Sequence, residues 1–353
     1  MVGLSLNDSF RYPLKIPKKN QDSQKLLQVN GLHVFLNQKK RSLAVVQDLR
    51  FHIDFGERLG IVGESGCGKS ITALALMSLL PTSMSMEGKI LLASSKGNYD
   101  ELNQLTEPQL CRIRGRRIGM VFQEPMSALN PVMPIGHQVS ESILLHQSIS
   151  RHGALQQASR MLERVGLPEF RFSRSLYPHQ LSGGQRQRVV IAIAMASDPD
   201  LLIADEPTTA LDVTIQSQIL KLIRELVEEE NMSLILITHD LGVIAENTDR
   251  MLVMYAGRSV ESGPTEAVFS KLKHPYTRGL FEALPEGDGH SKEGAIRLKT
   301  IPGRVPRLDE RDAGCVFQSR CSLAQSQCKK EIPLFTEPQQ LHSCACFFPF
   351  DAS

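Results

Sequence analysis

The sequence Gly63-Glu64-Ser65-Gly66-Cys67-Gly68-Lys69-Ser70 decides the fold of this chain. Its pattern, G-x-x-x-x-G-K-S, is typical of a loop that binds phosphate between a buried strand and a helix. The apolar run at 58–62 predicts that strand, and the run at 71–80, which begins with Ile71, predicts the helix. Glycines allow a tight turn that points successive N–H groups at a phosphate, and the helix N-terminus adds positive charge. Lys69 is expected to reach the β- and γ-phosphates, and the Ser70 hydroxyl to bind Mg²⁺.

Length, charge and hydropathy restrict the class of protein. A chain of 353 residues predicts roughly two domains. A formal net charge of +2 does not favour a broad nucleic-acid-binding surface. No apolar run approaches the roughly 18 residues that span a bilayer, and the N-terminus lacks the apolar segment of a secretory signal. We therefore expect a cytosolic protein that binds no nucleic acid and that can still dock on a membrane partner.

Three further apolar runs end in polar side chains, namely Gln123, the pair Asp205-Glu206, and His239. Ligands of parallel α/β sheets bind beyond the carboxyl ends of the strands, so these side chains are expected at the nucleotide edge. Asp205 would hold Mg²⁺ through water, and Glu206 would orient and activate the attacking water. The alternative for this acidic pair is a cap on the following turn. His239 would contact the γ-phosphate, although a lone histidine is usually structural.

A second glycine-containing loop, Leu181-Ser182-Gly183-Gly184-Gln185, opens a predicted helix that runs to about residue 196. Its backbone N–H groups and the Ser182 hydroxyl are also expected to face phosphate. Asp212 precedes another predicted helix, at 213–230, where it either caps the helix or reaches across an interface. Phe35, on a predicted strand, is a candidate to stack on a nucleotide base, and a core aromatic is the equal alternative.

The chain divides into a mobile tail at 1–24, a nucleotide-binding domain of the α/β class at 25–263, and a C-terminal extension at 264–353. Within the nucleotide-binding domain, strand signals vanish at about 125–185 and apolar residues take a helical spacing. We therefore expect a helical insertion there. Residues 93–103 are predicted to form a surface loop.

The ordered motifs resemble those of the ATP-binding subunits of ABC transporters. The general signs are the phosphate loop, Gln123, residues 181–185, residues 201–206, Thr209-Ala210-Leu211-Asp212 and His239. Further motifs are similar to the dipeptide, oligopeptide and nickel importer branch. They are residues 121–131 (VFQEPMSALNP), Tyr177-Pro178-His179-Gln180, residues 211–220 (LDVTIQSQIL), His274-Pro275-Tyr276-Thr277 and Ile301-Pro302-Gly303. The resemblance covers about residues 26–349.

This resemblance implies a P-loop ABC-type nucleotide-binding domain that hydrolyses ATP with Mg²⁺. Two such subunits, identical or paralogous, bind head to tail, and each ATP lies between one phosphate loop and the partner's residues 181–185. It also implies that Glu206 is the catalytic carboxylate, that His239 senses the γ-phosphate, and that Gln123 touches metal and water. Phe35 resembles the base-stacking aromatic.

The partners that the resemblance implies are membrane proteins. Two permease subunits would contact the helical insertion, and an extracytoplasmic solute-binding protein would act indirectly. The chain would then be a peripheral protein of the cytoplasmic membrane face that energises import of peptides or a related solute such as nickel. A soluble ABC-type ATPase that acts on DNA or ribosomes is the alternative, but this chain has one copy of each motif and no heptad run. A simple P-loop kinase or GTPase is disfavoured by residues 181–185.

Five of the seven cysteines lie between Cys315 and Cys346. Disulfides are disfavoured in a reducing cytosol, whereas four thiolates suit either Zn²⁺ or an iron–sulfur cluster. Buried free thiols without metal are a further alternative, although they poorly explain five cysteines in a Pro-rich segment. The importer branch favours a structural [4Fe–4S] cluster, because similar extensions can hold one. Matching the branch pattern of His, three residues and Cys onto His342 and Cys346 leaves Cys344 as a spare. The four expected ligands are Cys315, Cys321, Cys328 and Cys346.

Cys67 lies inside the phosphate loop, close to a helix N-terminus and to Lys69. Such surroundings favour the thiolate form of a cysteine. We therefore expect a reactive Cys67 whose alkylation blocks ATP binding and is prevented by MgATP. The alternative is that cysteine merely replaces another small residue at this position.

Overall fold

The computed structural model describes residues 25–38, 41–94, 97–209, 211–283, 300–311, 313–335 and 342–350. The predicted mobile tail at 1–24 lies outside the described residues. The strands are β1 (Lys25–Gln38), β2 (Arg41–Asp54), β3 (Arg58–Val62), β4 (Met84–Ala93), β5 (Tyr99–Glu101), β6 (Ile118–Val121), β7 (Leu201–Asp205), β8 (Ser233–Thr238), β9 (Arg250–Tyr255), β10 (Arg258–Pro264) and β11 (Ser343–Cys344). The α-helices are α1 (Lys69–Leu76), α2 (Glu107–Ile113), α3 (Pro125–Ala128), α4 (Ile135–His146), α5 (Arg151–Arg164), α6 (Gly183–Met195), α7 (Val213–Glu230), α8 (Leu241–Asn247), α9 (Thr265–Lys271), α10 (Pro275–Glu282) and α11 (Ser326–Lys330).

The main sheet has seven strands in the order β11-β10-β9-β3-β8-β7-β6. Strands β9, β3, β8, β7 and β6 are parallel, whereas β10 pairs antiparallel with β9 and β11 pairs antiparallel with β10. The parallel strands are almost entirely apolar and buried, as expected when both faces of a sheet are covered. The carboxyl ends of β3, β8, β7 and β6 therefore share one edge, and this confirms the predicted α/β fold.

A second, antiparallel sheet has the order β2-β1-β4-β5 and packs on the main sheet through a shared hydrophobic core. The prediction of a loop at 93–103 is wrong in part, because Tyr99–Glu101 pairs with the end of β4. The Tyr99 hydroxyl donates to the carbonyl oxygen of Lys25 at 3.0 Å. Pairing with a neighbouring strand thus outweighs a sequence of low strand propensity.

Helices dominate the part of the chain that was predicted to be a helical insertion. In α5 the buried residues are Ala154, Ala158, Met161 and Leu162, so one face of the helix is apolar. That face shares a second hydrophobic core with α4, α6 and α7. In the described ranges, no helix is long and apolar enough to span a membrane.

The C-terminal segments pack at the β9–β10 end of the main sheet. Strands β9 and β10 form a hairpin, in which Ala256 and Gly257 both have positive φ, at 46° and 82°. Such a pair of φ values matches the right-handed twist of the two strands. Glu261 of β10 pairs with Cys344 of β11, so the extension contributes a strand to the main sheet. A third hydrophobic core contains Tyr255, Tyr276 and Phe317.

Candidate nucleotide site

The phosphate loop connects β3 to α1 and has no room for extra side-chain atoms at its start. A Cβ on Gly63 would lie 2.2 Å from the carbonyl oxygen of Met254, so only glycine fits there. Gly68 caps α1 with φ 104°, in the left-handed region that favours glycine. The sequence prediction of a strand, a turn and a helix is therefore confirmed by the backbone.

The two polar side chains that start α1 point in different directions. Lys69 is 4% exposed, and its Nζ donates to the carbonyl oxygens of Gly63 at 2.8 Å and Glu64 at 3.3 Å. The Ser70 hydroxyl donates to Asp205 Oδ1 at 3.1 Å. An adjacent hydroxyl and carboxylate fit Mg²⁺, which prefers oxygen ligands and is usually shared with phosphates.

Burial raises the pKa of the Asp205 carboxyl, and the charge of Glu206 adds to this effect. The hydrogen bond from Ser70 and the charge of Lys69 act in the opposite direction. Asp205 thus lies in a dry environment at the carboxyl end of β7, where a cation would be strongly attracted.

The Glu206 carboxylate contacts side chains that follow several strands of the main sheet. Its Oε1 lies 3.8 Å from Lys69 Nζ and 3.5 Å from His239 Nδ1. Its Oε2 accepts a hydrogen bond from Gln123 Nε2 at 3.4 Å and another from the Thr209 hydroxyl at 3.0 Å. Sequence reasoning did not assign a role to Thr209, although it recognised the motif that contains it.

The backbone of Glu206 has φ 44°, which is uncommon for a residue with a side chain. Such a conformation costs about 1–3 kcal/mol and is often found at functional sites. The Glu206 N–H donates to the carbonyl oxygen of Ile237 at 2.9 Å, which holds the turn against β8. Asp205 binds Ser70, whereas the Glu206 carboxylate both faces the strand edge and accepts from the Thr209 hydroxyl of the following turn.

The expectation of a reactive Cys67 is wrong. Its side chain is 0% exposed and belongs to the core between the two sheets. Burial raises the pKa of the Cys67 thiol, and this outweighs the nearby charge of Lys69. A small apolar residue would serve equally well there, because the thiol faces the core and the backbone forms the loop.

The loop at 182–185 lies at the start of α6. The Ser182 hydroxyl accepts a hydrogen bond from the Gln185 N–H at 3.4 Å, and the Gln185 side chain accepts one from the Ser182 N–H at 2.9 Å. This reciprocal arrangement is a capping box. Among the described residues, no hydrogen bond or ion pair joins this loop to the phosphate loop. Asp212 caps α7, because its Oδ1 accepts from the Ile215 N–H at 3.0 Å.

Phe35 lies on β1, where it pairs with Ala44 of β2 and Ser85 of β4. It is only partly buried, and its ring stacks on that of His33 with the centroids 6.0 Å apart. With the ring partly buried, Phe35 stays a candidate to stack on a base, and a core aromatic stays the alternative.

The C-terminal cysteines lie in one region, at the edge of the third hydrophobic core. Burial raises the pKa of the Cys346 thiol to about 11, and the thiols of Cys315, Cys321 and Cys328 add to the effect. Burial is also the main cause that raises the pKa of the Cys344 thiol, and the charge of Glu261 adds to it. Within the described ranges, no group of three or more His, Cys, Asp or Glu side chains is spaced to hold a metal ion. Thiolates are ligands of Zn²⁺ and of iron–sulfur clusters, so the donor chemistry of these side chains fits either group.

Two family models match this chain. The model of the ABC transporter family matches residues 46–209, which include the phosphate loop and Glu206. The oligopeptide transport ATP-binding protein OppD of Salmonella typhimurium is 47% identical over 94% of this chain and 96% of its own length. The chain belongs to the ABC transporter family. A second model, for the C-terminal region of oligopeptide and dipeptide transporters, matches residues 260–328 of this ABC protein.

Other relatives of this ABC protein have similar names. The oligopeptide transport ATP-binding protein AppD of Bacillus subtilis is 44% identical over 91% of this chain and 96% of its own length. A putative peptide import ATP-binding protein of Brucella melitensis is 45% identical over 92% of this chain and 97% of its own. Among solved structures, the dimeric ATP-binding cassette MJ0796 with bound ADP and Pi is 27% identical. It has a TM-score of 0.59 and covers 68% of this ABC protein and 98% of the cassette.

Proposed function

We propose that this chain is the ATP-hydrolysing subunit of a peptide importer. The observation that carries the proposal is the position of Glu206, which meets Lys69, Gln123 and His239 at one edge of the sheet. A carboxylate beside a phosphate-binding lysine suits hydrolysis of a phosphoanhydride. The names of the relatives and the match to the C-terminal region of peptide transporters support the peptide substrate.

The residues have distinct roles in this proposal. The phosphate loop and Lys69 bind the β- and γ-phosphates, and His239 binds the γ-phosphate from the opposite side. Ser70, Asp205 and Gln123 would hold Mg²⁺, which neutralises phosphate charge when it is bound. Glu206 accepts a proton from the attacking water, while Thr209 and Gln123 hold its carboxylate in place. Phe35 stacks on the base.

The site needs a second subunit to be complete. Ser182, Gly183, Gly184 and Gln185 offer N–H groups and a hydroxyl at a helix N-terminus, and Ser182 and Gly183 are exposed. In a head-to-tail dimer this loop would cover the γ-phosphate on the partner's phosphate loop. Asp212, which is also exposed, would lie in the same interface. The MJ0796 cassette with bound ADP and Pi is dimeric, and this supports an assembly of two subunits.

Transport would need further proteins. Two permease subunits would contact the helical region at about 125–185, and the chain would lie at the cytoplasmic face of the membrane without entering it. An extracytoplasmic solute-binding protein would deliver the substrate to the permeases.

The experiment is reconstitution of the chain with its permeases and binding protein in proteoliposomes. We expect ATP hydrolysis that is stimulated by peptide and that drives peptide uptake, and Glu206→Gln should abolish both activities. Stimulation by Ni²⁺ instead of peptide would overturn the substrate class. Hydrolysis that needs no membrane partner, and that ribosomes or DNA stimulate, would overturn the transport role.

We also infer that Cys315, Cys321, Cys328 and Cys346 bind a [4Fe–4S] cluster, with Zn²⁺ as the alternative. Cys315, Cys321 and Cys328 all raise the pKa of the Cys346 thiol, whereas only Cys315 of these three raises that of Cys344, and this supports the choice of Cys346. A cluster would be structural here, because it would tie three short segments together.

A further inference from the structure

Two residues from outside the nucleotide-binding motifs hold Glu64, the second residue of the phosphate loop. The Tyr276 hydroxyl of α10, which is fully buried, accepts a hydrogen bond from the Glu64 N–H at 2.8 Å. Arg320, from the C-terminal extension, donates to both carboxylate oxygens of Glu64, at 2.6 and 3.1 Å. Two parallel hydrogen bonds of this kind fix orientation as well as distance.

Arg320 is itself held in place by its other donors. Its Nε donates to the carbonyl oxygen of Pro302 at 2.8 Å, and Nη2 donates to that of Ile301 at 3.2 Å. Nη1 also donates to the Tyr255 hydroxyl at 3.4 Å. The side chain is only 5% exposed, so the guanidinium has little freedom to leave Glu64.

The position of Glu64 matters because of its backbone. The carbonyl oxygens of Gly63 and Glu64 are the acceptors for Lys69 Nζ. A shift of Glu64 therefore moves the groups that orient the phosphate-binding lysine, and small displacements of positioned groups are costly in binding sites.

The extension also contacts β2, which lies next to the phosphate loop at Gly68. Arg311 Nη1 donates to the carbonyl oxygens of Ala44 at 2.7 Å and Val45 at 3.2 Å. The turn between β9 and β10 contacts the phosphate loop itself, because the Gly257 N–H donates to the carbonyl oxygen of Cys67 at 2.9 Å.

We propose that Arg320 is a positioning residue for ATP binding, which acts on the phosphate loop through Glu64. The C-terminal extension then sets the affinity of the site for nucleotide as well as completing the fold. This inference rests on the proposed function, because it requires that the phosphate loop binds ATP. The motifs at 274–277 and 301–303 also gain a role, since they supply Tyr276 and the carbonyl oxygens that orient Arg320.

The experiment is a double-mutant cycle on the full chain with R320Q, E64Q and the double variant. The dissociation constant of a fluorescent ATP analogue with Mg²⁺ and the unfolding midpoint without nucleotide are measured for each protein. We expect each single variant to weaken binding roughly tenfold, and the double variant to be no weaker than the weaker single variant. R320K, which keeps the charge and loses the paired geometry, should fall between wild type and R320Q.

The matched control is R304Q, which breaks the exposed ion pair between Arg304 and Glu310 in the same extension. It should leave nucleotide affinity unchanged. In the reconstituted transporter, R320Q should raise the KM for ATP and leave kcat nearly unchanged, because Arg320 does not touch the substrate. R320Q can fail to fold because it leaves the Glu64 carboxylate without its partner. In that case R320K and the double variant are compared instead, since the double variant removes both charges of the pair.

Wild-type affinity in folded R320Q, or equal losses in R304Q and R320Q, would overturn the inference. Additive losses in the double variant would also overturn it, because they would mean that Arg320 does not act through Glu64. Failure of the wild-type chain to bind ATP would instead contradict the proposed function.

Discussion

Lys69 Nζ lies 3.8 Å from Glu206 Oε1, so the proposed phosphate-binding cation and the proposed general base lie side by side. Lys69 begins the helix after β3, and Glu206 follows β7, with β8 between the two strands. In the proposed function, this pairing would place negative charge at the attacking water and positive charge at the γ-phosphate.

Replacing Glu206 by Gln should separate ATP binding from ATP hydrolysis. The amide keeps the shape and the contact with the Thr209 hydroxyl, but it cannot accept a proton from water. We expect turnover to fall by about 10²–10⁴ while ATP binding persists, and the ATP-bound dimer should accumulate. Phosphate release and size-exclusion chromatography with ATP measure the two effects. Wild-type turnover of this variant with its partners present would contradict the role of Glu206.

Replacing Asp205 by Asn should weaken binding of MgATP without weakening binding of metal-free ATP. The variant keeps an acceptor for the Ser70 hydroxyl and loses the charge that attracts Mg²⁺. We expect the affinity for MgATP to fall roughly 10–100-fold, the usual range for a residue that orients a metal site. Titrations of nucleotide in Mg²⁺ and in EDTA measure the difference. Equal losses under the two conditions would mean that Asp205 has only a structural role.

The same carboxyl should make MgATP binding sensitive to acid. Burial raises the pKa of Asp205, so protons compete with Mg²⁺ at a higher pH than they would at an ordinary aspartate. Affinity for MgATP should therefore fall as the pH is lowered, and this dependence should be smaller in Asp205→Asn. Parallel pH profiles of the two proteins would contradict the assignment.

Cys67 should resist alkylation in the folded protein. Its thiol is buried and its pKa is raised, whereas Cys111 on α2 is exposed and provides a matched control. N-ethylmaleimide should label Cys111 first and reach Cys67 only when the core opens, as peptide mapping by mass spectrometry would show. Rapid labelling of Cys67 at neutral pH would contradict the buried position.

The C-terminal cysteines should bind metal when the protein is purified anaerobically. We expect brown protein with about four iron atoms per chain. Cys321→Ser should remove the colour and destabilise the C-terminal segment, whereas the matched variant Cys344→Ser should keep both. Colourless protein with stoichiometric zinc would support the alternative metal, and a folded segment without metal would contradict both assignments.

His274 should make folding stability depend on pH. It is 1% exposed, and burial lowers its pKa to about 4. The unfolded chain takes up this proton below about pH 6.5, so stability falls as the pH drops from there toward 4.

His274→Asn should remove part of that loss. The asparagine side chain can still accept the hydrogen bond that His274 Nδ1 accepts from the Tyr276 N–H. At pH 5 the difference in pH-dependent stability should be about 2 kcal/mol, measured by urea unfolding at pH 7 and pH 5. Equal pH dependence in the two proteins would exclude His274 as the source.

Much of the fold and of the catalytic edge could be predicted from local sequence. The phosphate loop needs glycine, lysine and serine at fixed spacing, and Asp205, Glu206 and His239 directly follow apolar strands. A parallel sheet brings such strand ends together whatever the details of packing. Residues 93–103 were harder to predict, because β5 depends on pairing with β4 rather than on its own propensity.

The sequence by itself determined the strand, loop and helix of the phosphate site, since neighbouring residues specify that turn. Only the tertiary structure decided that Cys67 is buried, because burial depends on the second sheet that covers it. Only the tertiary structure placed Arg320 on Glu64, two residues that are 256 positions apart in the chain. Contacts over such distances follow from how complete elements pack, and no local pattern of residue types specifies them.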